Sequence, residues 1–272
     1  MTVLSHLAPV HIGAVSLTVR DLAGVADFYA RVLGLQKLHE EAGLCELGAG
    51  DEVLLRLLAD KSAKLAQPGS AGLFHTAFLL PARADLARWV QHAIDHRLPV
   101  TGASDHLVSE AIYLDDPEGN GIEIYRDREP SEWPREQGQI KMATEALDFA
   151  GLLQSLEGQD ATWKGAPAQT RVGHIHLRVG STQAAEDYYQ AGLGLDLVTR
   201  YPGASFLSSG GYHHHIGANV WASRGAPARD PGLGLASFEL VADADAYGVL
   251  KTALGDASAD PWANRIVLKE KP

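Results

Sequence analysis

Side chains able to do chemistry are concentrated in the stretch "SDHLVSEAIYLDDPEGNGIEIY" (104–125), which contains His106, Tyr113 and Glu123. The Pro, Gly and Asn residues of "DDPEGNG" predict a turn, so the flanking segments can pair as antiparallel strands. This pairing would place Tyr113 beside Glu123, with His106 close to both. A carboxylate, a phenol and an imidazole in one place could bind a cation or transfer protons. The turn alone fits an ordinary hairpin equally well.

A second candidate is the histidine triplet in "GGYHHHIGANVW" (210–221), which lies within an apolar, strand-like run. Successive side chains of a strand point to opposite faces. His213 and His215 would therefore share one face, and His214 would point to the other. At most part of the triplet can serve one centre, so its partners must come from elsewhere in the chain.

An internal repeat supplies the elements that would position these residues. "IGAVSLTV" (12–19) aligns with "VGHIHLRV" (172–179) at an offset of 160, and the offset shortens to 144 near the ends of the halves. Each half shows a strand, a short amphipathic helix and further strands, twice over. We therefore predict an α+β fold of four βαβββ units, in an N-terminal domain (1–128) and a C-terminal domain (170–272). A linker (129–169) would join them and hold one helix near 143–156.

Four positions carry a polar residue in one copy of the repeat and an apolar residue in the other. The pairs are His174 and Ala14, His214 and Leu54, His75 and Leu235, and Glu123 and Val267. Two imidazoles and a carboxylate suit a divalent iron or manganese, with coordination positions left open. A lone histidine on an apolar strand is more often an ordinary core residue. Three ligand-capable replacements in the two middle units favour a metal site there.

Composition limits the alternatives. The chain has 272 residues, 46% of them hydrophobic, and a formal net charge of −11, which argues against binding the phosphate backbone of nucleic acids. Its single cysteine, Cys45, excludes an intrachain disulfide framework and a cysteine-rich zinc site. Without a run of 18 apolar residues or an N-terminal leader, we expect a soluble, cytoplasmic protein with no membrane partner.

These residues resemble the vicinal-oxygen-chelate superfamily, and within it the extradiol ring-cleaving dioxygenases. The likeness is greatest to the bacillus-type catechol 2,3-dioxygenases, which carry four βαβββ units in one chain. The residues that match the extradiol signature are His106, Ile112, Tyr113, Asp116, Pro117, Gly119 and Glu123. Ser104 stands where glycine is usual, which we interpret as a mild change at a turn.

The resemblance implies iron ligands at His75, Glu123 and His174, with Fe(II) or Mn(II) as the cofactor and dioxygen as a co-substrate. The substrate would be a catechol-type aromatic diol. His75 and His174 each open the family's ligand pattern, a histidine followed by spaced apolar residues. His176 points to the same strand face two residues after His174 and is its rival as a ligand.

The resemblance also implies roles for the remaining candidates. His214 would lie beside dioxygen as a general acid and base, with His213 as the fallback if the strand register slips by one residue. His106 and Tyr113 would hydrogen-bond the substrate oxygens.

Three other functions are compatible with the same fold. A glyoxalase-type isomerase usually has four ligands, two of them Glu or Gln, around Ni(II) or Zn(II), whereas the closing strand here offers histidine. A drug-sequestering binder needs no metal, and a thiol-dependent transferase needs a basic pocket that the sequence does not indicate. The sequence leaves the oligomeric state open.

Overall fold

Two β-sheets organise the computed structural model, which describes residues 5–255 and 258–271. The first unit consists of β1 (Val10–Val19), α1 (Leu22–Val32), β2 (Gln36–Glu41), β3 (Leu44–Ala49) and β4 (Glu52–Ala59). The second consists of β5 (Gly72–Leu79), α2 (Arg83–His96), β6 (Val100–Asp105), β7 (Ser109–Asp115) and β8 (Gly121–Asp127). Both units have the predicted βαβββ order.

The linker contains four short elements, a 3-10 helix (Pro130–Glu132), β9 (Arg135–Glu136), β10 (Gln139–Ile140) and α3 (Phe149–Gln154). The third unit consists of β11 (Arg171–Arg178), α4 (Thr182–Glu186), a π-helical turn (Asp187–Gly192), β12 (Asp196–Tyr201), β13 (Ala204–Ser208) and β14 (Ile216–Asn219). The fourth consists of β15 (Gly234–Ala242), α5 (Ala244–Leu254) and β16 (Ile266–Glu270). Among the described residues this last unit has one strand after its helix, in the region where the repeat offset shortens and leaves less chain.

The sheets pair units across the two halves of the sequence. The six-stranded sheet has the order β16-β15-β1-β4-β3-β2 and joins the first and fourth units. The eight-stranded sheet has the order β12-β13-β14-β11-β5-β8-β7-β6 and joins the second and third units. In each sheet the two units meet through antiparallel first strands, β1 with β15 and β5 with β11. The division into domains at residues 128 and 170 stays a prediction.

The apolar core lies where the helices cover the sheets. Helix α1 is capped at its N-terminus by Asp21, whose side chain accepts the Gly24 N–H, and it buries Phe28, Tyr29 and Val32 at helical spacing. Trp89 of α2 is fully buried and donates its indole N–H to the carbonyl of Val32. Complete burial of one such large side chain contributes about 1.5–3 kcal/mol. The strands are therefore anchored from the helix side, which leaves their opposite face for the polar residues.

The linker differs from its prediction. Its helix covers only residues 149–154, and the preceding part consists of a 3-10 helix, a short hairpin and an irregular segment. That part contributes Trp133 and Ile140 to a small apolar cluster with Val108 and Tyr212. Among residues 5–255 and 258–271, no helix is long and apolar enough to cross a membrane.

Candidate metal centre and its cavity

Three neighbouring strands bring His75, Glu123 and His174 together. His75 lies on β5, which pairs in parallel with β8 and antiparallel with β11. Glu123 and His174 both lie opposite Ala77, two residues along β5 from His75. Because residues i and i+2 share a face and paired residues lie about 5 Å apart, all three side chains project from one patch of the sheet. Their ligand atoms all lie within 4.8 Å of one another.

The cluster is buried and poorly satisfied by the protein itself. Glu123 Oε2 lies 2.9 Å from His75 Nε2 and 3.2 Å from His174 Nε2, and each residue is at most 6% exposed. Although His75 Nε2 is close to this oxygen, it makes no hydrogen bond of acceptable geometry among the described residues, and His174 Nδ1 also has no partner there. Buried polar atoms are usually paired, so an unpartnered His75 Nε2 beside a carboxylate fits a position at which both could bind a cation.

The charges of the cluster also suit a cation. Burial alone would raise the pKa of Glu123, but the imidazoles of His174 and His75 outweigh it and hold that pKa well below its usual range. Burial lowers the pKa of His174 to about 4, so this imidazole is neutral near pH 7. A charged carboxylate and neutral imidazoles are the ligand forms that divalent iron or manganese requires.

His176 lies beside this cluster without joining it. It pairs with His75 across β5 and β11, and the two rings lie 4.9 Å apart between centroids. Its Nε2 is buried and has no hydrogen-bond partner among the described residues. The structure thus groups His174, rather than its rival His176, with His75 and Glu123.

A cavity of about 270 Å³ opens over the cluster. Its walls are mainly apolar and aromatic, with Phe74, Phe206 and Trp221 on one side and Met142 of the linker among the others. His106, Tyr113 and His214 also line it, together with His176. A concave apolar space with a few convergent polar groups is the usual form of a small-molecule site.

Tyr113 and His106 form a hydrogen-bonded pair at the cavity wall. Tyr113 lies opposite Glu123 in the β7–β8 register, which confirms the predicted pairing across the turn. His106 Nδ1 lies 2.7 Å from the carbonyl oxygen of Ala143 and its Nε2 lies 2.6 Å from the Tyr113 hydroxyl. A carbonyl only accepts, so His106 donates from Nδ1 and the phenol donates to Nε2. Burial, and then the charge of Glu123, raise the pKa of Tyr113 well above its usual value, so the phenol is neutral.

The histidine triplet lies in the loop before β14, and the prediction that it forms part of a strand is wrong. The strand begins at Ile216, and of the three histidines only His215 makes backbone hydrogen bonds to the neighbouring strands within the part of the chain that the structure describes, donating to Leu207 and accepting from Ile175. His214 lines the cavity, with its ring 4.0 Å from that of His174. His213 contacts Asp127, and His215 contacts the carbonyl of Ser5. The three rings therefore diverge, and only His214 of the three lines the cavity.

Sequence reasoning missed part of the cavity. The linker segment Met142, Ala143 and Thr144 lines it, although this stretch has no motif that marks it. Ser104 lines it as well and lies within β6, paired with Ala111, so its interpretation as a turn residue is wrong. Asp127 was also overlooked, although strand alternation from Glu123 places it on the same face of β8.

Comparisons with known proteins agree with this arrangement. Residues 9–124 and 171–267 match the model of the Glyoxalase/Bleomycin resistance protein/Dioxygenase superfamily. The catechol-2,3-dioxygenase of Bacillus subtilis (strain 168) is 45% identical to this chain over 222 residues, which are 80% of the chain and 77% of that protein. Biphenyl-2,3-diol 1,2-dioxygenase 3 of Rhodococcus globerulus is 30% identical over 118 residues, or 41% of the chain and 60% of that protein.

Solved structures share the fold at low identity. A protein of Bacillus subtilis superposes with a TM-score of 0.64 at 15% identity, covering 96% of this chain and 85% of its own. Glyoxalase I from Zea mays superposes with a TM-score of 0.60 at 12% identity, covering 98% and 94%. Two matched segments, two paired sheets and a buried cluster of ligand-type residues lead to one conclusion: the chain belongs to the Glyoxalase/Bleomycin resistance protein/Dioxygenase superfamily.

Proposed function

We propose that this protein is an extradiol dioxygenase, which cleaves the ring of a catechol-type diol with dioxygen at a mononuclear Fe(II) site. The observation that carries the proposal is the convergence of His75, Glu123 and His174 at the floor of an apolar cavity. The catechol-2,3-dioxygenase of Bacillus subtilis, 45% identical over most of both chains, supports the choice of reaction.

His75, Glu123 and His174 would hold the iron, through Nε2 of each imidazole and a carboxylate oxygen. Bound there, Fe(II) would supply the redox and Lewis-acid chemistry that joins the diol and dioxygen. Mn(II) prefers similar ligands and is the alternative ion. Three protein donors leave further positions for small molecules, which separates this site from a closed structural one.

The cavity walls would hold the aromatic ring and exclude water. Phe74, Phe206 and Trp221 offer edges and faces on which a flat ring can stack. A volume of about 270 Å³ lies just below the usual range of about 300–1,000 Å³ for ligand sites, which favours a single-ring diol.

Three side chains would act on the oxygens of the substrate. The Tyr113–His106 pair would orient a substrate oxygen, with the phenol kept protonated by its buried setting. Burial, and then the neighbouring imidazoles, lower the pKa of His214 well below its usual value, so the ring is neutral at physiological pH. A neutral imidazole can take a proton from a diol hydroxyl and return it later in the reaction.

Metal analysis and turnover test the proposal together. The protein is purified without oxygen and analysed for metals, and the Fe(II)-loaded form is then mixed with catechol in air while oxygen uptake and the yellow ring-opened product are followed. We expect Fe or Mn, and stoichiometric oxygen uptake. Ni or Zn would favour the isomerase, and no bound metal would favour the binder.

Two variants separate the residue roles. Glu123→Ala should lose the metal and all turnover, whereas His214→Phe should keep the metal and lose at least about 100-fold in kcat, the usual size of an acid–base contribution. Glu239→Gln, on the other sheet, is the matched control and should keep both the metal and full turnover. Full activity in the first two variants would contradict the assignment.

A cytoplasmic location is part of this proposal.

A further inference from the structure

A series of hydrogen-bonded side chains lies behind His214, on the side away from the cavity. His213 Nδ1 lies 2.8 Å from His214 Nδ1, and His213 Nε2 lies 2.7 Å from Asp127 Oδ1. His213 is fully buried, whereas the Asp127 side chain keeps 16% of its surface exposed. The series therefore runs from a carboxylate near the surface to the imidazole that lines the cavity.

The carboxylate sets the direction of the hydrogen bonds in this series when each imidazole carries a single proton. The carboxylate of Asp127 can only accept, so His213 donates from its Nε2–H. With its single proton on Nε2, His213 has a lone pair on Nδ1 and accepts a hydrogen bond from the Nδ1–H of His214. A His214 that carries its single proton on Nδ1 has no second N–H. Its Nε2 is left with a free lone pair on the ring edge away from His213, towards the cavity.

The carboxylate at the start of the series is itself held in place. Tyr212 donates its hydroxyl to Asp127, at 3.0 Å from Oδ2, and lies 2.8 Å from the hydroxyl of Tyr125, which must donate to it. Gly173 makes room for that phenol, because a Cβ atom there would lie 1.8 Å from the Tyr125 hydroxyl. Trp133 of the linker packs edge-on against the His213 ring at 5.2 Å. Elements from β8, β11, the linker and the loop before β14 thus converge on this series.

We propose that Asp127 and His213 are positioning residues that hold His214 in the Nδ1–H tautomer, so that it offers an acceptor Nε2 to the substrate. The catalytic consequence rests on the proposed function, whereas the tautomer does not. In the reaction, an O–H bond of the diol breaks and its proton passes to His214 Nε2. The resulting imidazolium is compensated through His213 by the charge of Asp127, as in other Asp–His pairs. The proton later returns to the organic molecule.

The substitution Asp127→Asn should reverse the direction of the hydrogen bonds in this series, because asparagine has nearly the same shape as aspartate but carries a donor. The amide nitrogen can donate to His213 Nε2 while the amide oxygen still accepts from Tyr212. His213 would then donate from Nδ1 to His214 Nδ1, and His214 would carry its proton on Nε2, facing the cavity. The matched controls are Asp127→Glu, which keeps the carboxylate, and Asp51→Asn, the same substitution in an exposed turn.

Long-range ¹H–¹⁵N correlation spectra of metal-free, ¹⁵N-labelled protein read the tautomer directly, with His214→Phe used to assign the signals. We expect His214 protonated at Nδ1 in the wild type and in both controls, and at Nε2 in Asp127→Asn. A wild-type His214 protonated at Nε2, or a His213 protonated at both nitrogens, would overturn the proposal. The wild-type spectrum decides this even if Asp127→Asn does not fold.

Kinetics of the Fe(II)-loaded protein test the consequence. Asp127→Asn should lower kcat at least about 100-fold, with KM changed less than about threefold, since the aromatic side chains proposed to hold the ring are unchanged. Asp127→Glu should recover at least a tenth of the lost rate, and Asp51→Asn should match the wild type. An unchanged kcat with a reversed tautomer would refute the positioning role. Failure of the proposed function would instead show as a wild type that cleaves no diol while its spectrum still reports the Nδ1–H form.

Discussion

Each of the two sheets carries a nearly buried carboxylate on the face away from its helices, and the partners of the two carboxylates differ. Glu123 of the eight-stranded sheet faces two imidazoles. Glu239 of the six-stranded sheet lies 2.6 Å from both Arg56 Nη1 and Lys269 Nζ, and accepts the Ala14 N–H at 3.0 Å. A buried charge is stable only when it is compensated. The six-stranded sheet does this with the side chains of Arg56 and Lys269, whereas among the described residues no Lys or Arg side chain forms an ion pair with Glu123, which is where we propose a metal ion.

The charged residues around Glu239 and the cluster around Glu123 do not occupy equivalent positions of the repeat. Glu239 occupies the repeat position of Leu79, and Arg56 that of Ile216, at the offset of 160. Lys269 occupies the position of Tyr125 at the offset of 144. Duplicated strands therefore keep the fold while the polar residues on one face are exchanged. Whether a sheet of this fold can hold a metal ion therefore depends on which positions of its open face carry acidic or imidazole side chains. It also depends on whether Lys or Arg side chains already neutralise the acidic ones.

The largest effect is expected when the metal positions are given the residues of the other sheet. The triple variant His75→Leu, Glu123→Val, His174→Ala carries the repeat equivalents Leu235, Val267 and Ala14. It should lose stoichiometric metal binding by elemental analysis, because all three proposed ligand side chains are removed. It should also fold and match or exceed the unfolding free energy of the metal-free wild type by about 1–4 kcal/mol, as replacements of buried ion pairs often do.

The contrary result for this variant is a loss of native circular dichroism. Such a loss would mean that His75, Glu123 and His174 are needed for folding, and not only for binding a metal. Urea unfolding of the metal-free forms provides the comparison, with equal m-values required.

A smaller effect is expected from the six-stranded sheet. Glu239→Gln removes the charge that joins Arg56 to Lys269, and we expect a loss of about 2 kcal/mol in unfolding free energy, the usual value for hydrogen bonds to charged groups. Metal stoichiometry and kcat should equal those of the wild type. A reduced metal content in this variant would show that the two faces are coupled.

The smallest effect concerns acid. Burial lowers the pKa of His215 to about 3, below the value of about 6.5 in an unfolded chain. Between these values the unfolded state binds the extra proton, so this imidazole's contribution is complete above pH 6.5 and is lost as the pH falls towards 3. His215→Gln should therefore reduce the pH dependence of the unfolding free energy by about 1.4 kcal/mol per pH unit between pH 5.5 and 4.5. An unchanged slope in urea titrations of metal-free protein would contradict this.

Features that depend on residues close together or regularly spaced in the sequence could be predicted, whereas contacts between distant segments could not. The fold, the four units and the grouping of His75, Glu123 and His174 follow from strand alternation and the repeat, because both are local or periodic. The pairing of Tyr113 with Glu123 follows from the turn between them. The Tyr113–Glu123 pairing depends on one hairpin, whereas the grouping of the three ligand-type residues also requires β5 to pair with β8 and β11.

The remaining features depend on packing between distant segments. Ala143 binds His106 across 37 residues, and Asp127 binds His213 across 86, and neither spacing has a sequence signature. The apolar residues around the triplet predict a strand. In the structure two of its side chains form hydrogen bonds with Asp127 and the Ser5 carbonyl, partners that no local pattern indicates.

The most direct test of the central claim is anomalous diffraction at the iron edge from crystals of the Fe(II)-loaded protein grown without oxygen. The account predicts one iron peak per chain, within coordination distance of His75 Nε2, a Glu123 carboxylate oxygen and His174 Nε2, and no such peak in Glu123→Ala. An iron peak bound to other residues, or none at saturating Fe(II), would contradict it.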